Sequence, residues 1–172
     1  MRRATAVRVV GPWSWIILPA LLSMAATLLL ATPVEVFGLR LPQPIIPMVL
    51  AFAWPLIRPS MLAPIVLLLL GLFLDLLWRQ PLGLAAVSLL SVYAVVLLSR
   101  SFLMGQETSV LFVWYSVGTL LAFILTYVIV TLQAANPPSV LSWLASVVPT
   151  LLLFPFADRL IERFEDGDVR FR

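Results

Sequence analysis

Long apolar runs separated by short polar turns fill the chain almost from end to end. A helix rises about 1.5 Å per residue, so crossing a hydrocarbon core about 30 Å thick takes roughly 20 apolar residues. Six stretches meet or approach that length, and we place the predicted spans at about 13–32, 43–57, 60–78, 83–103, 109–132 and 139–157. The pattern predicts an all-α membrane protein, a bundle of about six transmembrane helices.

Prolines distinguish the second and sixth predicted spans from the others. The second carries Pro44, Pro47 and Pro55 and is short. Because proline removes a backbone donor and clashes with the preceding turn, we expect a short or kinked helix that neighbours enclose. Pro149 and Pro155 predict a bend in the sixth span.

Composition agrees with a lipid-embedded chain. Hydrophobic residues make up 62 % of the 172 residues and charged residues 11 %, whereas soluble domains have about half and a quarter. We predict one integral domain over 1–172, of which 158–172 is a short, charged cytoplasmic tail with a solvated helix end. The apolar run 13–31 is longer than the core of a signal peptide, so we interpret it as a retained first helix.

Arginine and tryptophan positions predict the orientation of the bundle. With a cytoplasmic N-terminus, nine of the eleven arginines flank the spans on the cytoplasmic side, and only Arg40 and Arg79 lie opposite. This bias predicts that both termini are cytoplasmic. The six tryptophans fall near predicted span ends, as interfacial aromatic belts do; they are Trp13, Trp15, Trp54, Trp78, Trp114 and Trp143.

Several function classes are excluded by residues that the sequence lacks. It contains no cysteine and no histidine, which excludes disulfides, zinc sites built on Cys or His, and His-based acid–base relays. Phosphate-binding, metalloprotease and hydrolase motifs are absent too. No basic helix carries an aromatic stacking platform for nucleic acid. We therefore predict a non-enzymatic protein with no catalytic residue, cofactor or metal.

Asp75 is the one acidic residue inside a predicted span. A carboxylate in a membrane is costly and usually has a partner. Arg79 lies four residues later on the same helix face, so we favour a local ion pair or loop latch at the membrane edge. A proton or ion relay and a partner-binding site are the alternatives.

Small and hydroxyl residues recur on three predicted helices. In lipid such residues let helix backbones approach and form hydrogen bonds between helices. We predict helix packing for them, with a ligand pocket lined by the hydroxyls as the alternative. The residues are Ser23, Thr27 and Ala31, then Ser88, Ser91 and Ser99, then Tyr115, Thr119, Ala122 and Thr126.

The segment 71–84 carries a family resemblance. It reads Gly-Leu-Phe-Leu-Asp-Leu-Leu-Trp-Arg-Gln-Pro-Leu-Gly-Leu, with Asp75 followed by Pro81, Leu82 and Gly83. Upstream, 53–59 ends in Arg58-Pro59. Both segments resemble the rod shape-determining protein MreD family, and length and hydropathy are similar along the whole chain. Family members often have small residues such as Gly-Ser where this chain has Arg79-Gln80.

The resemblance implies a multi-pass protein of the bacterial inner membrane that acts as a scaffold of the cell-elongation complex, which builds peptidoglycan. Its implied partners are MreC, the MreB cytoskeleton, RodA and a class B penicillin-binding transpeptidase, besides membrane lipid. The implied fold is similar to the substrate-binding component of energy-coupling-factor transporters, and self-association into a homo-oligomer is left open. The alternative is a small-molecule-binding transporter component of the vitamin-uptake type. The residues that the resemblance singles out as structural or partner-binding are Asp75, Arg79, Pro81, Gly83, Arg58 and Pro59.

Overall fold

In a computed structural model the chain is mainly helical, and the described residues are 8–11, 13–31, 35–36, 39–40, 43–133, 140–165 and 169–171. A π-helical turn, Trp13–Ile17, leads into the first helix. The helices are α1 (Leu18–Leu30), α2 (Pro47–Ile57), α3 (Leu62–Trp78), α4 (Leu84–Leu98), α5 (Arg100–Leu103), α6 (Thr108–Gln133), α7 (Val140–Leu151) and α8 (Phe154–Glu165).

Four short strands accompany the helices. β2 (Glu35–Val36) and β3 (Leu39–Arg40) form an antiparallel pair between α1 and α2. β1 (Arg8–Val10) pairs in parallel with β4 (Val169–Phe171). The second pairing brings segments near the two ends of the chain together.

Three helical stretches of the described chain are long and apolar enough to cross a membrane: Trp13–Leu30, Thr108–Leu132 and Leu144–Phe164. The protein is therefore a helical membrane protein. The other three apolar helices, α2, α3 and α4, have 11, 17 and 15 residues. Helices α2 and α3 end where the predicted spans end but begin later, at Pro47 and Leu62. Helix α4 ends five residues early, because Ser99 leaves helical geometry at φ −88° and ψ 1°.

Helix α2 forms the centre of the bundle. All ten residues from Pro47 to Leu56 are buried, and α2 packs mainly against α4 and α8, with smaller contacts to α1 and α3. A helix that is apolar on every side is expected to be enclosed. Eleven residues rise about 16 Å, roughly half the hydrocarbon thickness. The prediction of a short, buried second helix is confirmed.

Two of the tryptophans predicted for the membrane interface lie in the core instead. Trp15 and Trp54 are 3 % and 0 % exposed, and the indole N–H of Trp54 donates to the carbonyl of Trp15 at 3.1 Å. The enclosure of α2 explains the difference, since the π-helical turn Trp13–Ile17 contacts the last turn of α2. Trp13, at 73 % exposed, is free to meet lipid, whereas the Trp143 side chain lies outside the described residues.

The chain bends between α7 and α8, as the two prolines of this region predict. α7 ends at Leu151 and α8 begins at Phe154. Residues 158–165 of the predicted tail continue α8 as a helix end: Arg159, Glu162 and Arg163 are exposed, whereas the other side of this segment packs against α2. Phe154, Ala157 and Ile161 are buried and form one apolar stripe along α8. The sequence prediction missed this stripe because it was based on the charged residues that lie between these three positions.

Candidate functional site: the α3–α4 hairpin

Asp75 caps helix α4 from the last turn of α3. It is 0 % exposed. Its Oδ2 accepts a hydrogen bond from the Gly83 N–H at 2.7 Å, and its Oδ1 accepts one from the Ala85 N–H at 2.9 Å. The first amides of a helix have no partner within it and carry its positive dipole end. A carboxylate therefore satisfies both amides while its charge is offset by the helix terminus.

The end of α3 is closed by a left-handed residue, Arg79, with φ 54° and ψ 39°. The amides of Arg79 and Gln80 both donate to the Asp75 carbonyl, the latter at 2.9 Å. Such a bond, spanning six residues, is typical of a helix end with a left-handed C-terminal residue. Asp75 thus holds the turn through its backbone and its side chain together.

The predicted ion pair between Asp75 and Arg79 is wrong, and the predicted latch is confirmed. Arg79 is exposed, and between these two described residues the structure shows no ion pair. Two backbone amides already satisfy the carboxylate. Burying a guanidinium beside it would cost desolvation without a matching gain.

The turn itself combines a buried anchor with an exposed surface. Gly83 adopts φ 94°, a conformation that favours glycine, and its carbonyl accepts from the Val87 amide at 2.9 Å. Pro81 and Leu82 are exposed, Leu82 by 70 %. Asp75, Pro81 and Gly83 are brought together, with Arg79 on the exposed side of the same turn.

Arg58 and Pro59 lie away from this turn. They follow α2 and precede α3, so the length of α3, about 26 Å for 17 residues, separates them from the hairpin. Arg58 is exposed and extended, at φ −159°, and its amide donates to the Trp54 carbonyl at 3.0 Å. The two segments of the resemblance therefore occupy opposite ends of α3.

A close helix crossing supports the hairpin from within the bundle. A methyl group added to Gly71 would overlap the Cα, the N and the Cβ of Ala86, the last at 2.8 Å. The two helices meet at this point because neither residue has a side chain larger than a methyl group. A lone glycine in the aliphatic α3 and the pair Ala85-Ala86 in α4 are the sequence signal for such an approach.

Part of the predicted set of hydroxyl groups forms bonds between helices, whereas Ser91 donates to a carbonyl of its own helix and the buried Ser23 Oγ has no hydrogen-bond partner among the described residues. Ser88 Oγ and Thr126 Oγ1 share a hydrogen bond of 2.8 Å between α4 and α6. Each oxygen also lies within hydrogen-bond distance of the carbonyl four residues before it, at 3.0 and 2.9 Å. Because each hydroxyl has one hydrogen, one of the two donates to the other and its partner donates to its own helix. The Tyr115 hydroxyl donates to the Thr150 carbonyl at 2.9 Å, joining α6 to α7. Ser23 and Thr27 are buried inside the fold.

Two polar links were not anticipated from the sequence. Gln43 Nε2 donates to the Ala31 carbonyl at 3.1 Å, and Gln43 Oε1 accepts from the Trp78 indole N–H at 2.9 Å. Thr150 Oγ1 accepts from the Ile45 amide at 3.2 Å. In the sequence, a polar residue directly before the apolar run of α2, Gln43, is the feature that could have predicted such a link. These bonds satisfy non-helical backbone beside α2, as buried irregular segments in membranes require.

Within the described residues there is no group of three or more His, Cys, Asp or Glu side chains that could hold a metal ion. No protein family matches this chain, and no curated protein or solved structure shows significant similarity to it. The hairpin is therefore interpreted from its own geometry.

Proposed function

We propose that this chain is a non-enzymatic membrane scaffold of the rod shape-determining MreD type, part of the complex that elongates the bacterial cell wall. One observation carries the proposal: the resembling motif forms a turn whose anchor is buried and whose tip is exposed. Asp75 fixes the turn from below, and Pro81 and Leu82 are presented at its tip. A rigid exposed turn suits contact with another protein, because little ordering entropy is lost on binding.

In this proposal the bundle has six spans, a fold similar to that of the substrate-binding component of energy-coupling-factor transporters, and both termini in the cytoplasm. The parallel pairing of β1 with β4 supports termini on one side. Helix α2 completes its crossing through the non-helical residues 43–45, where the Ile45 amide donates to Thr150 Oγ1. The α3–α4 turn then faces the outside of the inner membrane, where the bitopic MreC can reach it, and RodA and the transpeptidase lie in the same membrane. The MreB cytoskeleton lies on the opposite, cytoplasmic side.

Depletion and complementation in a rod-shaped bacterium that carries this gene test the proposal. Depletion should turn rods into round cells, and crosslinking from membranes should recover MreC and the elongation synthases. Leu82→Arg should fail to restore shape or recovery of MreC. Met61→Arg is the matched control, since Met61 is 90 % exposed at the other end of α3, and it should restore both. Unchanged cell shape on depletion would count decisively against a scaffold role.

The vitamin-uptake alternative has less support. The hydroxyls that would have lined its pocket on α4 and α6 bond to each other and to helix carbonyls. Native mass spectrometry of the purified protein that found a bound polar vitamin would favour this alternative over the scaffold.

A further inference from the structure

We propose that a cleft between α1 and α3 is a binding site for one acyl chain of a membrane phospholipid. The cleft has a volume of about 310 Å³ and runs from Ile17, the last residue of the π-helical turn, to Met24 of α1, and along α3 from Val66 to Phe73. Its lining is almost entirely apolar. The proposal goes beyond the scaffold function and does not depend on it.

The inner surface of the cleft, its floor, is buried, and the residues at its rim are exposed. Ala20 and Leu70 are 7 % and 5 % exposed, whereas Leu21 and Leu69 beside them are 57 % and 60 % exposed. The opening therefore lies on the surface of two helices of the bundle and faces the hydrocarbon of the bilayer. Lipid is the medium in direct contact with it.

The geometry at the start of α1 accounts for the cleft. The π-helical turn Trp13–Ile17 and Pro19 near the first turn of α1 interrupt regular helix geometry, and such interruptions are where helices bend. Both the π-helical turn and α1 contact α3, and the cleft between α1 and α3 begins at Ile17, where the π-helical turn ends.

The rim of the cleft favours an acyl chain over a second helix as the occupant. Helices associate in lipid where small residues let their backbones approach or where polar side chains bond between them. The exposed rim residues Leu21 and Leu69 are neither small nor polar, and the cleft extends over seven helical rises, about 10 Å. A flexible methylene chain can enter and restore the dispersion contacts that an empty gap leaves unmade.

The end of the cleft near Ile17 indicates where the lipid headgroup lies. Trp13 is 73 % exposed and Met61 is 90 % exposed at this end of the two helices. Indole rings prefer the headgroup level of a bilayer. The acyl chain would therefore enter beside Trp13 and extend toward Phe73.

Photolabelling tests the site in the intact chain. The purified protein is placed in vesicles of phosphatidylethanolamine and phosphatidylglycerol with a phosphatidylglycerol that carries a photoactivatable acyl chain. Adducts should concentrate on 17–24 and 66–73. Equal labelling of lipid-exposed Val117 and Ile124 on α6, which are each 52 % exposed, would overturn the proposal.

A matched pair of variants tests occupancy. Ala20→Phe fills the floor, and native mass spectrometry in mild detergent should show loss of the retained lipid. Leu22→Phe, at a position on α1 that is 61 % exposed and outside the cleft, should retain it. Lipid retained equally by both variants would overturn the site. A photocrosslinking residue at Leu21 that captures a helix of another protein in native membranes, in place of lipid, would overturn it too.

Discussion

Asp75 is fully buried in a helix of a membrane protein, and its carboxylate has only backbone amides as hydrogen-bond partners among the described residues. An ionised carboxylate in a bilayer costs several kcal/mol unless it is compensated. Here the first amides of α4 supply hydrogen bonds and a partial positive charge at the same point. One side chain thereby joins the end of one helix to the start of the next.

Removing the carboxylate should destabilise the hairpin. Asp75→Ala is expected to lower the free energy of unfolding by about 2–3 kcal/mol, because two buried amides lose charge-assisted bonds. Asp75→Asn should lose less, since an amide oxygen can still accept one bond. Arg79→Ala is the control and should change stability by less than about 0.5 kcal/mol. Denaturant unfolding in detergent measures all three, and an equal loss in Arg79→Ala would restore the ion-pair interpretation.

The backbone of Arg79 gives a second prediction, of opposite sign. A left-handed conformation costs a non-glycine residue about 1–2 kcal/mol, and glycine's extra freedom in the unfolded chain costs about 0.4–1 kcal/mol. Arg79→Gly should therefore raise the free energy of unfolding by about 0.5–1 kcal/mol. Arg79→Ala keeps the unfavourable φ and should show no such gain. A loss of stability in Arg79→Gly would mean that the side chain itself contributes.

At the residue scale, the sequence predicted that Asp75 latches the hairpin but did not predict which groups its carboxylate binds. The cost of a carboxylate in lipid and the turn residues Pro81 and Gly83 indicated that Asp75 holds a hairpin. The choice between Arg79 and backbone amides depends on the left-handed turn at Arg79, a conformation that sequence seldom predicts for arginine.

The α3–α4 pair depends on a helix crossing at Gly71 and Ala86. In lipid there is little hydrophobic force between helices, so close backbone approach and dispersion contacts hold them together. The cap at Asp75 and the crossing at Gly71 lie four residues apart on α3, one turn of the helix. The exposed turn is thus supported by two adjacent constraints.

Gly71→Ala should separate these helices. The added methyl group meets the backbone of Ala86, so we expect a loss of about 1–3 kcal/mol in the free energy of unfolding. Gly118→Ala is the matched control: its methyl group would meet only the Val92 side chain, at 3.3 Å. Alanine's better helix propensity, worth about 1 kcal/mol, should offset that contact. Similar losses for both substitutions would contradict the crossing as the cause.

Helix positions were largely predictable from hydropathy, and helix faces were not. A helix lies within each of the six predicted segments. Leu67 and Leu69 have the same hydrophobicity, yet the first is 0 % exposed and the second 60 %. In a membrane, leucine suits both a protein core and a lipid contact. Which helices pack together therefore depends on small residues and on polar links between helices. In one such link, Ser88 and Thr126 lie far apart in sequence, so hydropathy could not predict it.

The whole molecule is arranged around α2, with longer helices outside it. This arrangement and the arginine bias together predict which turns face each side of the membrane. Single cysteines can test this because the chain contains none. Leu82→Cys should react with a membrane-impermeant maleimide on intact spheroplasts, whereas Met61→Cys and Gln106→Cys should react only after lysis.

Ala63→Cys is the control for burial, since Ala63 is 0 % exposed and should remain unlabelled in the folded protein. Labelling of Met61→Cys from outside with protection of Leu82→Cys would invert the proposed orientation. Labelling of both from the same side would mean that α3 does not cross the membrane.

The enclosure of α2 also constrains how the protein is made. α2 is about half as long as the membrane is thick, and much of its cover comes from α8, which follows it by about 100 residues. During synthesis the early helices therefore enter the membrane while their centre is still incomplete. Until α8 is made, the side of α2 that α8 covers is open to lipid, so the centre of the bundle is completed only late in synthesis.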